Sequence, residues 1–310
     1  MKLKGRDDLI SEGNSDGDLV YIGIYTSRIC NQACIYCFES AGEKATGETT
    51  LEERKRTIDE AEELGARAMF IAGAGEPTLD PLFAPLLRYA YKKKLTTLLY
   101  TNGTLINRDM ARFFYAYDVT PIVKLESLDK KVHNTLTGRE WSYRKTMAGI
   151  SNLLSSGYGK IQNGYTRIGV AALYTKPNLK GLQKLKDWCL SKGILLMVDW
   201  LAMKGRAFEN ETEIKPKTEE ILYHKNLLNL DEESAGNVVT GNCIFWRYGL
   251  TIDHFGYARP CTEMETRTIG NIREFSLMKL NEIKNQLFPK RSGCFTCIFK
   301  DTHYRNLREE

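Results

Sequence analysis

Six runs of β-branched and aromatic residues, separated by amphipathic stretches, restrict the fold more than any other feature of this chain. They occupy residues 19–26, 66–73, 96–103, 121–128, 166–173 and 194–203. Between them, segments 49–65, 81–94, 107–117, 143–156 and 178–192 carry helix signals. The first is the clearest: a threonine cap and an acidic first turn precede a stripe of Ile58, Ala61 and Leu64, and Gly65 ends it. Strands joined by helical crossovers lie parallel, because such connections are long and right-handed. The pattern predicts an α/β fold built on a partial (β/α)6 TIM barrel, three-quarters of the eight-stranded form.

The expected organisation is a polar N-terminal tail over 1–20, the barrel core over 21–205, a charged linker or lid over 206–240, and a small cysteine-rich domain over 241–310. That last domain contains a hairpin signal, WRYGLTIDHFGYARPC, with Gly256 near its turn. With 310 residues, 42% of them hydrophobic and 27% charged, the chain can bury a large domain and an appendage, and it is not disordered. Its net charge of +5 arises from 44 basic and 39 acidic residues, a mixed surface that does not indicate nucleic acid. No apolar run approaches the ~20 residues that span a bilayer, and the polar start lacks a signal-peptide core. A cytoplasmic protein without membrane partners is expected.

Eight cysteines in such a chain point to reduced thiols, and so to metal binding or catalysis. Cys30, Cys34 and Cys37 fall within one short stretch, and Cys243, Cys261, Cys294 and Cys297 in the last quarter. Cys189, alone in a helical segment, reads as a buried structural thiol. Three thiolates need a fourth ligand to close a tetrahedral zinc site, and the nearest histidine in sequence is His133. The same three can instead hold three irons of a 4Fe-4S cubane and leave one iron open to an exogenous chelator. The four later cysteines can ligate a second 4Fe-4S cluster completely, or a zinc ion. His133, His224, His254 and His303 lack ligand spacing and read as solvated or packed.

Cys-x3-Cys-x2-Cys directly after a first strand, with aromatic Tyr36 before the third cysteine, resembles the signature of the radical S-adenosylmethionine (SAM) superfamily. Ala74-Gly75-Glu76-Pro77 after the second strand is similar to the family's Gly-Gly-Glu-Pro motif, with Ala74 in place of the first glycine. That exchange keeps a small side chain but weakens any requirement for positive φ. YTNGTLIN follows the third strand, and KLESLD at the end of the fourth resembles the family's Ser-Leu-Asp segment. The resemblance covers about residues 20–205. It implies a SAM-binding 4Fe-4S cluster on Cys30, Cys34 and Cys37, with Tyr36 lining the adenine. It further implies Ala74, Gly75, Glu76 and Pro77 around the methionine amino group, Asn102 facing SAM or substrate, and Glu126 and Ser127 near the ribose or carboxylate. The implied chemistry is reductive cleavage of SAM to a 5′-deoxyadenosyl radical that abstracts hydrogen from a substrate carbon. No catalytic base is assigned.

The spacing Cys243-x17-Cys261, then Cys294-x2-Cys297, resembles a Twitch domain, a shortened SPASM domain carrying one auxiliary 4Fe-4S cluster. It is similar to that of 2-deoxy-scyllo-inosamine dehydrogenase, which oxidises a secondary alcohol. The resemblance therefore implies an oxidoreductase that carries out a two-electron oxidation of a small polar metabolite. The auxiliary cluster would take the substrate's second electron, the first leaving with the abstracted hydrogen atom, and a flavodoxin or ferredoxin would supply the electron that cleaves SAM. The alternative is a ribosomal peptide maturase that cross-links, epimerises or oxidises its substrate. About twenty residues before the first strand leave little room for a leader-binding domain, which disfavours that alternative. A non-enzymatic iron-sulfur or zinc module is the third reading. Arg167, Asp199, Trp200 and Arg247 are candidate substrate contacts.

Overall fold

Side chains that fit a pleated, buried surface turn each of the six apolar runs into a strand. The computed structural model describes residues 1–6, 19–228, 249–260 and 268–287. In chain order its first strands are β1 (Lys2–Leu3), β2 (Tyr21–Ile24), β3 (Ala68–Ile71), β4 (Thr96–Thr101), β5 (Val119–Lys124), β6 (Tyr165–Thr166), β7 (Gly169–Leu173) and β8 (Leu195–Asp199). Strands β2, β3, β4, β5, β7 and β8 pair in parallel, each with the next, as the alternation predicts. The fourth run starts two residues earlier than expected. Pro121, which has no N–H to give a ladder, lies one residue before pairing with β7 begins at Ile122, so it does not interrupt that ladder.

The crossovers are α1 (Leu51–Glu63), α2 (Phe83–Lys92), α3 (Arg108–Ala116), α4 (Lys130–Thr137) with α5 (Ser142–Ser155), and α6 (Leu182–Ser191). The α1 cap is a full capping box: Glu53 N donates to Thr50 Oγ1 at 3.2 Å, and Thr50 N to Glu53 Oε2 at 2.7 Å. Alternation along the strands separates two cores. Ile22, Ile24, Ile71, Leu99, Val170 and Val198 face the helices. Phe70, Leu98, Ile122, Ala171, Leu195 and Met197 fill the barrel interior together with Leu3.

Leu3 overturns the expectation of a wholly polar tail. Residues 1–6 close the barrel floor, where β1 pairs with β6, Arg6 Nη1 meets Met197 Sδ at 3.0 Å and Lys4 pairs with Asp118 at 2.8 Å. After β8 the chain forms α7 (Arg206–Glu209), α8 (Glu211–Ile214) and α9 (Thr218–Leu228). The described remainder comprises β9 (Gly249–Ile252), β10 (Tyr257–Arg259), β11 (Gly270–Asn271) and α10 (Leu277–Leu287). β9 and β10 form the expected hairpin, with Gly256 at φ +87°, and β9 extends the main sheet by pairing in parallel with β2. Cys243, Cys261, Cys294, Cys297 and Arg247 lie outside the described residues. No helix among the described residues is long and apolar enough to cross a membrane.

Candidate active site

Three cysteines sit on the long loop between β2 and α1, at the C-terminal mouth of the barrel, where sites of this fold are built. Its ends are drawn together by Glu48, whose Oε1 accepts from Ser27 Oγ at 3.1 Å and from the Arg28 and Ala45 amides, each at 3.0 Å. The buried Arg54–Asp80 pair, 2.6 Å apart, anchors the same end through the Ser27 amide at 3.0 Å. On one side the C-terminal carbonyls of α4 accept from the loop: Ala33 N donates to Thr137 O at 3.1 Å and Ile35 N to Leu136 O at 3.0 Å. Gly138 permits this contact, since a Cβ there would lie 2.4 Å from Ala33 O. On the other side Arg206 donates from Nε to Cys34 O and from Nη1 to Ala41 O, both at 2.9 Å. The segment read as linker or lid is, in its first residues, a clamp on the cysteine loop.

Cys30, Cys34 and Cys37 are half-buried, whereas Cys189 is fully buried in the helix-facing core, as expected. Ala41 N donates to Cys37 Sγ at 3.5 Å. Burial pushes the Cys30 thiol up to about 11, against a hydrogen bond from the Gln32 amide. Burial first, and then Cys37, raises Cys34 as well. Among the described residues no group of three or more His, Cys, Asp and Glu side chains gathers as the ligands of one metal ion do. Cys37 nevertheless lies close enough to raise both Cys30 and Cys34. That arrangement suits thiols that each take a different iron of one cluster, and so fits a 4Fe-4S group better than a zinc ion.

Gly75 brings the end of β3 against this loop. Glu76 N donates to Ile29 O at 2.8 Å, and a Cβ on Gly75 would lie 2.2 Å from that same oxygen. The constraint at Gly75 is close approach; Ala74, 2% exposed, has no positive φ. Glu76 is 2% exposed and engaged by the protein itself. Its Oε1 accepts from Thr101 Oγ1 and Thr78 Oγ1, each at 2.6 Å, and its Oε2 from Asn102 N at 2.6 Å. Burial raises its pKa while these donors oppose the rise. Pro77 is buried as the first residue of the short turn that Glu76 caps.

Asn102 ties the end of β4 to the cysteine loop, donating from Nδ2 to Asn31 Oδ1 at 2.8 Å. At the end of β5, Glu126 Oε2 accepts from Leu173 N at 2.9 Å and Oε1 lies 3.1 Å from Lys124 Nζ. Lys124 also sits 5.5 Å from the centre of the Tyr36 ring. That ring packs with Leu136, Ala207 and Ile214, and burial followed by Cys34 and Glu126 raises its hydroxyl. Ser127 Oγ accepts from Asp129 N at 3.0 Å and leads into α4. The structure therefore brings Tyr36, the 74–77 segment, Asn102 and Glu126 around the three cysteines. It also shows that their side chains hold neighbouring loops.

Two sequence assignments change or narrow. Arg167 precedes β7 and lies at the barrel floor, 3.3 Å from Asp118 and over the Tyr115 ring, because the strand begins only at Gly169. Asp199 ends β8 at the mouth, and Trp200 packs edgewise on Tyr174 with ring centres 6.4 Å apart. Sequence reasoning misses Arg206, Gln32 and Lys124. The position of Lys124 at a strand end is a usable signal, whereas Arg206 and the Ser142 partner of Gln32 are far away in sequence from what they contact.

Residues 24–170 match the model of the Radical SAM superfamily. The mycofactocin maturase MftC of Mycobacterium tuberculosis is 25% identical over 70% of this chain and 52% of its own length. The antilisterial bacteriocin subtilosin biosynthesis protein AlbA of Bacillus subtilis is 30% identical over 78% of this chain and 55% of its own. The chain thus spans about half the length of these curated relatives. Among solved structures, Streptococcus suis SuiB bound to precursor peptide SuiA superposes with TM-score 0.66 at 19% identity, covering 95% of this chain and 67% of that one. At that identity the likeness shows the fold. Superfamily members use SAM and a 4Fe-4S cluster, and the residues at the mouth suit both; the chain carries a radical SAM domain over residues 24–170.

Proposed function

We propose that this enzyme carries out a two-electron oxidation at a carbon of a peptide substrate, with Cys30, Cys34 and Cys37 holding the SAM-binding cluster. The observation that carries the substrate class is the set of relatives, a maturase and a bacteriocin biosynthesis protein, joined by a solved neighbour that was bound to a precursor peptide. Bound together, the cluster and SAM supply a 5′-deoxyadenosyl radical by reductive cleavage of the sulfonium.

The chain's own residues position and enclose. Arg206 and the α4 carbonyls fix the backbone that presents the thiols. Glu76 and Asn102 hold the ends of β3 and β4 against that backbone, leaving the Ala74–Gly75 main chain to face the methionine moiety. Tyr36, Lys124 and Glu126 form one wall of the mouth, and their mutual contacts fix it before ligand arrives. The four later cysteines would hold an auxiliary cluster that accepts the second electron.

A second reading, oxidation of a small polar metabolite, rests on the spacing of Cys243, Cys261, Cys294 and Cys297, which resembles a Twitch-type dehydrogenase. Anaerobic reactions with carbon-deuterated peptides and, separately, carbon-deuterated aminocyclitols decide between the two. Deuterium in 5′-deoxyadenosine only with peptides supports the first reading, and only with aminocyclitols the second. Product formation that survives Cys261→Ala and Cys294→Ala while iron content falls by one cluster would remove the redox role of the tail.

A further inference from the structure

A line of buried polar side chains runs from the end of β5 to one of the three thiols. Glu126 N donates to His133 Nδ1 at 3.3 Å, and His133 Nε2 lies 3.1 Å from Ser142 Oγ. Ser142 Oγ lies 2.6 Å from Gln32 Nε2, and Gln32 Oε1 lies 3.4 Å from Cys34 Sγ. His133 and Ser142 are fully buried and Gln32 is 4% exposed. Burial holds His133 at about 4, so the ring is neutral near pH 7. Because Nδ1 accepts from a backbone amide, the ring proton is on Nε2 and is given to Ser142.

With the Gln32 amide in this orientation, Ser142 Oγ accepts from both His133 and Gln32, and its own proton has neither neighbour as acceptor. Cys34 must then be a thiol that donates to Gln32 Oε1. The thiol donor is lost once Cys34 is an iron-bound thiolate, which has no proton and would face a carbonyl oxygen. Turning the Gln32 amide over by half a turn removes both conflicts without moving an atom centre, since its oxygen and nitrogen are interchangeable in shape. Ser142 O–H then donates to Gln32 Oε1 at 2.6 Å, a length nearer to an O–H donor than to an N–H donor. Gln32 Nε2 donates to the sulfur at 3.4 Å.

We propose that Gln32 is a positioning residue that donates its side-chain N–H to the Cys34 thiolate of the loaded cluster, at the end of a one-way hydrogen-bond chain from Glu126 N through His133 and Ser142. Every donor in the chain points toward the sulfur, so each polarises the next. A donor to a cluster sulfur favours the reduced, more negative state and raises the potential. The chain thereby makes the SAM-binding cluster easier to reduce. The inference rests on Cys34 being a ligand, which a separate measurement tests: Cys34→Ala that keeps the full iron content and reduced signal would overturn that reading and not merely this one.

The test is an EPR-monitored redox titration of anaerobically reconstituted holoprotein, following the reduced signal that Cys30→Ala abolishes. Gln32→Leu should shift the midpoint negative by about tenfold in the oxidised-to-reduced ratio, about 59 mV for a one-electron couple. Gln32→Glu, which presents only acceptors, should shift it further in the same direction, and Ser142→Ala should shift it the same way by less. An unchanged midpoint in Gln32→Leu and Ser142→Ala at full iron content overturns the proposal. So does a positive shift, which would mean that the amide oxygen keeps facing the sulfur. Should Gln32→Leu fail to take up iron, the midpoint of Ser142→Ala, one step removed from the loop, decides: a negative shift supports the proposal and an unchanged value overturns it.

Discussion

The two ends of the barrel use polar residues for opposite purposes. At the floor, Lys4 and Arg167 converge on Asp118 around the apolar plug that Leu3 completes, and the charges end in ion pairs at the rim. At the mouth, Glu76, Asn102, His133 and Ser142 are buried and bind one loop to another, with the three half-buried thiols at their centre. The floor is apolar closure with charges placed outside it. The mouth is a framework of directional bonds, which costs stability in desolvation and returns fixed geometry. Damage at the floor should therefore lower stability and spare the chemistry, while damage at the mouth should affect both.

The largest effect on that contrast should come from Glu76→Ala. The variant strands Thr101 Oγ1, Thr78 Oγ1 and the Asn102 amide without their acceptor, at about 1–3 kcal/mol for each group left unsatisfied. Chemical denaturation should show that loss, and anaerobic assays should show 5′-deoxyadenosine formation falling along with it. Full stability in Glu76→Ala would mean that the network carries no load.

His133 gives a smaller effect that depends on pH. Its pKa is about 4 in the folded chain against an ordinary 6.5, so the unfolded chain takes up the proton first. Its stabilising contribution is complete above pH 6.5 and is lost as pH falls toward 4, by up to ~3 kcal/mol. Denaturation at pH 7 and pH 5 should show a shallower decline for His133→Gln than for the parent; equal slopes would show that the ring is not held neutral by burial.

Leu3→Ala should cost about 2–3 kcal/mol, the lower part of the range for a fully buried leucine, because a two-residue strand can partly collapse onto the gap. Cluster content and 5′-deoxyadenosine yield per folded molecule should be unchanged. A matching loss of yield would show that the floor is coupled to the mouth.

Much of the barrel is legible in the sequence because its strands and five of its crossover helices follow apolar periodicity. α4 is not, since KKVHNTLT offers only Val132 and Leu136 to a helical stripe and buries His133, Asn134 and Thr137 through hydrogen bonds instead. The early start of β5 is hidden because Pro121 looks like a boundary. At the site, the cysteines and the 74–77 segment can be read from spacing and position. Their partners cannot: Gln32 finds Ser142 across 110 residues and Arg206 finds Cys34 across 172. Such pairings belong to the tertiary fold. For the same reason the sequence offers Glu76 and Asn102 only as ligand contacts, and the bonds of their side chains to neighbouring loops appear in the structure alone.

On the proposed reading, the thiols of Cys30, Cys34 and Cys37 make this mouth a radical SAM site. Their role is tested by the 5′-deoxyadenosine formed anaerobically by the iron- and sulfide-reconstituted protein with SAM and dithionite, compared with the variant that carries alanine at all three positions. The parent should form 5′-deoxyadenosine and the triple variant none. A parent that carries its cluster yet forms none, or a triple variant that forms as much, would contradict the assignment.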